Sequence, residues 1–287
     1  MTEISAADAA DNAKTKIQDQ SQAIEALVEG LDCRTLILEY DAPVLSITLN
    51  RPEKRNALDL AMRGAIAEAF RALSTDPEVR VILITGGDDV FAAGADLSIL
   101  VDKSPQSLAE LDLPSFWAPV ANCEKPVVAA VNGYCLGAGC ELMMMCDLVV
   151  VDDTAQIGQP ECSVGIMPGA GGTQRLIRAL GKPMASLMTM CGELISAERA
   201  YQLGLAGDIS AANGALPQAL KRAQKIAKMP PKAIQAIKRS LKLGADLPLN
   251  EALAFENREF LLLFDTQDQT EGMQAFLEKR KPVFTGK

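Results

Sequence analysis

Three short apolar stretches constrain the fold of this chain more than any other feature: VRVILITGG (79–87), PVVAAVNG (126–133) and DLVVVDD (147–153). Each carries four or five consecutive apolar residues, rich in Val and Ile, between Gly, Pro, Asn or Asp. Such runs are too short for a self-sufficient helix and too apolar for a surface, so they read as buried strands. Upstream, RTLILEYDAPVLSITLN (34–50) reads as two strands around a turn at Asp41-Ala42-Pro43, with Leu45, Ile47 and Leu49 alternating with Ser46 and Thr48. AQIGQPE (155–161) holds a shorter strand. The segments between have helical character. In RPEKRNALDLAMRGAIAEAF (51–70), Asn56 is expected to cap a helix with apolar positions Leu58, Met62, Ile66 and Phe70. GAGCELMMMCD (137–147) opens with glycines and then lacks any helix breaker, which places a helix from about Ala138. Strands alternating with helices indicate an α/β fold.

Beyond Gly172 the texture changes. GTQRLIRALG, PMASLMTMCG, SAERAYQLG, LPQALKRAQKIAKM, PKAIQAIKRSLKLG and NEALAFENREFLLLF all read as helices separated by Gly or Pro, so the C-terminal third is expected to be helical. At the other end, residues 1–16 read as a solvated tail, and 17–29 as a short amphipathic helix through Ile17, Ile24, Leu27 and Val28, ended by Gly30. With no apolar core segment and no Arg in residues 1–31, a secretory or mitochondrial leader is not expected, and the expected location is cytoplasmic.

Composition excludes several functions. The 287 residues contain no His, which removes Ser-His-Asp and Cys-His machinery and the commonest zinc ligand. The net charge of −9 argues against nucleic acid or an anionic membrane as partner. No segment is long and apolar enough to read as a membrane span. The seven cysteines include no CxxC pair, and several lie in apolar runs, so they read as small core residues in a reducing compartment rather than as disulfides or metal ligands. Chemistry is left to carboxylates, Lys, Tyr, Cys and backbone amides.

The informative region is 91–175. It holds three loops of small residues, AAGAD (92–96), GAG (137–139) and PGAGG (168–172), and two glutamates, Glu141 and Glu161. Small residues allow a ligand or a second backbone to come close. A helix starting near Ala138 would aim unpaired amides outward, and the AAGAD loop could add another donor. Two amides aimed at one oxygen form an oxyanion hole. Glu141 would fall in the first turn of that helix, where a capping role alone accounts for it. Glu161 alone reads as a loop carboxylate after a proline. Together, flanking the same loops in a chain without His, they suit general acid/base work. GAGG is no phosphate loop, because GxxxxGK[ST] and GxGxxG are both absent.

FAAGADL (91–97), AAVNGYCLGAGCELMMMCD (129–147) and GQPECSVGIMPGAGGTQRL (158–176) strongly resemble the enoyl-CoA hydratase/isomerase superfamily, the crotonases. The likeness spans about 34–287 and includes NRPEKRNAL and the closing EGMQAFLEKRKPVF. It implies an α/β spiral of ββα units with a C-terminal helical association module: a tail over 1–31, the spiral catalytic core over 32–208 and the helical module over 209–287. It also implies a homotrimer or homohexamer. By resemblance, Ala95 and Ala138 donate the oxyanion-hole amides, and Glu141 and Glu161 match the catalytic glutamates of hydratases. Gly169 positions the water, and Lys54, Arg55 and Ala57 hold the CoA phosphates and adenine. Ala93, Asp96, Leu97 and Ser98 line the same ligand, and Phe264 caps the acyl pocket, with a neighbouring subunit as one possible donor. Ala138 stands where many members have Gly, which leaves a backbone donor intact.

The implied reaction is hydration of a trans-2-enoyl-CoA thioester through a thioester enolate. Glu161 delivers the proton and Glu141 orients the water. No metal or redox cofactor is implied, CoA being part of the substrate. Within the family, LGAGCEL, GIMPGAGGTQRL and LIRALGKPMAS are most similar to bacterial hydratases acting on 2,3-dehydroadipyl-CoA in phenylacetate breakdown. The competing readings are a Δ3-Δ2-enoyl-CoA isomerase and a non-catalytic CoA- or RNA-binding relative. Both glutamates favour hydration over the first, and the acidic charge counts against RNA.

Overall fold

The apolar runs form the centre of a six-stranded sheet in a computed structural model that describes residues 34–287. The expected tail, its helix over 17–29 and Cys33 lie outside the described residues. The sheet runs in the order β1 (Leu36–Asp41), β2 (Val44–Leu49), β3 (Val81–Thr85), β4 (Val127–Val131), β6 (Leu148–Asp152) and β9 (Asp208–Ser210). β1 and β2 form the expected antiparallel hairpin, and every later pairing is parallel. A smaller sheet joins β5 (Tyr134–Leu136), β7 (Gln156–Gly158) and β8 (Ile195–Ser196). The chain therefore visits the large sheet at β4, the small one at β5, the large one at β6 and the small one at β7. This is a spiral of ββ units with helices between them.

The central strands β3, β4 and β6 are almost wholly apolar because both faces of the large sheet are covered there. Ile82, Ile84, Val127, Ala129, Val149 and Val151 face one core with Leu45 and Ile47. Helix α1 (Leu60–Leu73) packs there through Met62, Ile66, Phe70 and Leu73. Val81, Leu83, Val128, Ala130 and Val150 face the other side. Ala215, Ala219, Ala223 and Ala227 of a later helix, Ala215–Ala227, meet them with a stripe of methyl groups at four-residue spacing.

Two expectations are corrected. The cap of α1 is Asp59, whose carboxylate accepts from the Met62 amide at 2.8 Å. Asn56 has φ of +54°, which is incompatible with the extended backbone of an N-cap. It is buried instead, and its side-chain amide donates to the carbonyls of Gly86 and Val90 at 2.8 and 3.0 Å, knitting two loops. Second, the segment after Gly172 is not wholly helical: β8 and β9 interrupt it, and β9 extends the large sheet. Strands of two or three residues carry no readable period. The stretch between β3 and β4 contains two helices, α2 (Pro105–Ala109) and α3 (Leu113–Ala121), that the apolar pattern does not announce. The long helix Gly172–Met190 breaks at Gly181, where the sequence places a glycine between two helical segments. Three more helices, Pro231–Gly244, Leu249–Leu263 and Gln267–Leu277, follow Ala215–Ala227.

Candidate active site

The three small-residue loops meet. Ala92 donates to Tyr134 and accepts from Leu136, so the 92–96 loop lies along β5. The loop also pairs with Leu58, which donates to the Gly94 carbonyl and accepts from the Asp96 amide. Backbone groups alternate in direction along an extended chain, so the intervening Ala95 amide is turned away from Leu58. Ala138 opens α4 (Ala138–Met143), where the first amides have no intrahelical partner. Neither the Ala95 nor the Ala138 amide has an acceptor among the described residues. Both residues line one cavity of about 630 Å³.

Glu141 and Glu161 line the same cavity. Glu141 is 2% exposed, and its Oε1 accepts from the amides of Ala170 and Gly172, both at 2.7 Å. The carboxylate thus caps the start of the neighbouring helix rather than its own, and draws the third loop into the site. Burial pushes its pKa up, opposed by those two amides and by the charges of Arg63 and Arg175. Glu161 sits in a short 3-10 turn, Pro160–Val164. Its pKa is raised to about 7, first by burial and then by the neighbouring charge of Glu141, while a backbone hydrogen bond acts against the rise. Gly137 (φ +50°) brings the backbone beneath it: a Cβ there would lie 3.1 Å from Glu161 Oε1. One carboxyl poised near neutrality and one anchored by amides form an acid–base pair with distinct environments.

The other expected residues divide. Ala93, Leu97 and Gly169 line the cavity. Asp96 lies beside it, and its carboxylate is occupied: it accepts from Ser98 Oγ at 2.7 Å and pairs with Arg51 at 3.3 Å. Ser98 is held by the same bond. Lys54 and Arg55 are exposed at the turn Pro52–Lys54 and, like Ala57, stand outside the cavity lining. Arg55 joins the site through its carbonyl, which accepts from the Ala93 amide at 3.0 Å. Phe264, at the end of Leu249–Leu263, is not brought to this chain's cavity; its ring packs edge-on against Phe260 at 5.1 Å.

Sequence reasoning missed four contributors. Gln159 is fully buried, and with its amide nitrogen turned to Glu161 it donates to both carboxylate oxygens, at 2.8 and 3.0 Å. Arg63 of α1 and Trp117 of α3 form a cavity wall, with the guanidinium 5.3 Å from the ring centre. Arg175 adds positive charge beside Glu141. The single Trp of the chain was the one available signal; nothing in local spacing marks the others. Among the described residues no cluster of His, Cys, Asp or Glu is arranged to hold a metal, and no helix is long and apolar enough to cross a membrane. The six described cysteines are free thiols.

The chain is similar to several known proteins. Residues 39–287 match the family model described as "Enoyl-CoA hydratase/isomerase". The chain is 45% identical over 252 residues to the 2,3-dehydroadipyl-CoA hydratase of Escherichia coli K12, covering 88% of this chain and 99% of that one. It is 41% identical over 238 residues to the mitochondrial enoyl-CoA hydratase of Pongo abelii, covering 83% and 82%. Among solved structures, an enoyl-CoA hydratase subunit I from Geobacillus kaustophilus superposes with a TM-score of 0.86 at 40% identity, covering 88% and 98%.

Proposed function

The chain belongs to the enoyl-CoA hydratase/isomerase family and is an enoyl-CoA hydratase, and on that premise we propose that Glu141 and Glu161 add water across the double bond of a trans-2-enoyl-CoA thioester. The observation that carries this assignment is the convergence of two carboxylates and two unpaired amides on one apolar cavity. The thioester carbonyl takes the Ala95 and Ala138 amides. Enolate charge develops on that oxygen during addition, and fixed donors stabilise the charged transition state more than the neutral ground state. Glu141, ionised and held by two backbone donors, presents its other oxygen to the water with the Gly169 backbone beside it. The water adds at C3 as its proton passes to the Glu141 carboxylate, Glu161 delivers its own proton to C2, and transfer of the proton from Glu141 back to Glu161 through solvent restores the starting state. A pKa of about 7 suits a group that must be protonated in one direction and ionised in the other. The product is a 3-hydroxyacyl-CoA. The reaction neither oxidises nor reduces the substrate and needs no metal or redox cofactor, CoA arriving as part of the substrate.

Lys54, Arg55 and Ala57, with Asp96 and Ser98 ordering the adjacent turn, form the CoA-facing side of the site. The helices Leu249–Leu263 and Gln267–Leu277 leave Leu253, Phe260, Leu262, Phe264, Phe276 and Leu277 exposed. Such a patch supports assembly as a homotrimer or a dimer of trimers, with Phe264 capping a neighbour's acyl pocket. A cytoplasmic place in fatty-acid β-oxidation or phenylacetate catabolism accords with the substrate class. The test follows loss of the conjugated enoyl-thioester absorbance with crotonyl-CoA in wild type, Glu141→Gln and Glu161→Gln. Turnover in wild type and a loss of at least about a hundredfold in each variant is expected for paired acid–base groups. Undiminished activity in either variant refutes that residue's role.

A further inference from the structure

Arg63 is a buried cation that the hydration chemistry does not use. It is 4% exposed, and it lines the catalytic cavity. Its Nε donates to the Leu58 carbonyl at 3.1 Å, and its guanidinium stacks on Trp117. Among the described residues it has no other hydrogen-bond acceptor and no carboxylate within ion-pair distance. Its Nη groups are not sealed in protein, because among the described residues the one fully enclosed side-chain polar atom without a partner is Arg175 Nε. Arg63 belongs to the cavity lining, so its guanidinium is within reach of a ligand held there. Burying an unpaired charge is costly, and the cost shows: burial pushes the Arg63 pKa down, with only partial relief from Glu141 and Asp59.

The cavity lining is largely apolar and includes Leu100, Leu108, Leu113 and Trp117. A saturated hydrocarbon tail would fill this space and leave the guanidinium unsatisfied. A tail ending in a carboxylate would pair with it. The contact with Trp117 holds the guanidinium against the wall, and its outer N–H groups, which have no acceptor among the described residues, suit a bidentate acceptor. Lys103 also lines the cavity, but it is exposed and solvated. On the hydratase reading above, we propose that Arg63 is a specificity-determining residue that binds the distal carboxylate of a dicarboxylic enoyl-CoA, so that the preferred substrate carries a negative charge at the far end of its acyl chain.

The experiment compares kcat/KM for two thioesters of equal chain length, the CoA monothioester of trans-2-hexenedioic acid and trans-2-hexenoyl-CoA, in wild type, Arg63→Leu and Arg63→Lys. Using the ratio of the two within each preparation removes any difference in folded fraction. The wild-type ratio is expected to favour the dicarboxylic substrate. Arg63→Leu is expected to lower it at least about 30-fold, the size of a lost charge-assisted pair, and Arg63→Lys to fall between. If Arg63→Leu shows no measurable turnover, the Arg63→Lys ratio decides. Turnover with a ratio that stays within about threefold of wild type means that Arg63 serves Glu141 for both substrates alike, and overturns this proposal alone. Absence of turnover of either thioester by wild type overturns the hydratase reading itself, and this proposal with it.

Discussion

Gly139→Ala tests whether the oxyanion hole depends on close backbone contact. Gly139 lies in the first turn of α4, one residue after the Ala138 amide, and packs against Ala92 at the start of the AAGAD loop. A Cβ at Gly139 would stand 2.6 Å from the Ala92 Cβ and 2.8 Å from the Ala92 carbonyl oxygen. Ordinary carbon–carbon contact is about 3.5–4.0 Å, so the helix start and the loop must separate by about 1 Å. The obstacle includes backbone, and no side-chain rotation can relieve it. The backbone of Gly139 is helical, so the substitution adds no left-handed strain, and the cost in stability is that of overpacking, about 1–3 kcal/mol. The two donors of the hole lie on opposite sides of this contact. A displacement of about 1 Å costs about a hundredfold in rate, and full loss of one donor costs about the same or more. The assay is crotonyl-CoA hydration beside urea unfolding, at a temperature where the variant remains folded. A drop in kcat of about a hundredfold with a modest fall in midpoint is expected. Hydration within threefold of wild type would refute the claim that this contact sets the spacing of the hole.

Two further outcomes follow from groups in and behind the site. Glu161, raised from 4.5 to about 7 by burial and by Glu141, is favoured in its neutral form in the folded protein. Its contribution to stability is therefore present below the unfolded pKa of about 4.3 and lost as pH rises to about 7; Glu161→Gln should unfold at higher urea than wild type at pH 8, by about 2 kcal/mol after allowing for partial exposure, and match it near pH 4, whereas equal midpoints at pH 8 would contradict the raised pKa. Asn56→Ala strips the side-chain donor from the part-buried Gly86 and buried Val90 carbonyls and should cost about 3 kcal/mol in urea unfolding; a loss below about 1 kcal/mol would mean that water replaces the amide.

The site also shows how one carboxylate serves both fold and chemistry. Glu141 Oε1 satisfies two amides at the start of the helix Gly172–Met190, and this fixes the rotamer that directs Oε2. Removing the charge alters catalysis and the seating of the PGAGG loop together. Glu161 takes the amide side chain of Gln159, and its pKa is raised chiefly by burial, with a backbone hydrogen bond opposing the rise and the charge of Glu141 adding to it. Two glutamates thus acquire different duties from different hydrogen-bond partners.

The sequence by itself determined what depends on neighbours along the chain. VILIT, VVAAV and LVVVD are too apolar for anything but a sheet covered on both faces, and β3, β4 and β6 lie where those runs predict. The helix beginning at Ala138, with Glu141 in its first turn, was legible from glycine followed by unbroken helix formers. The motif resemblance carried the family. Tertiary structure decided everything that needs a partner far along the chain. β8 and β9 exist because β7 and β6 offer unpaired edges, not because two or three residues prefer extension. Asn56 gave up the capping role its residue type suggests, since distant carbonyls and a positive φ commit it elsewhere. Gln159 and Arg63 have no local signature, because a buried hydrogen bond or an unpaired buried charge is defined by what surrounds it in space. That Glu141 and Glu161 share one cavity is likewise a property of the spiral, which returns the chain to the same wall after each ββ unit.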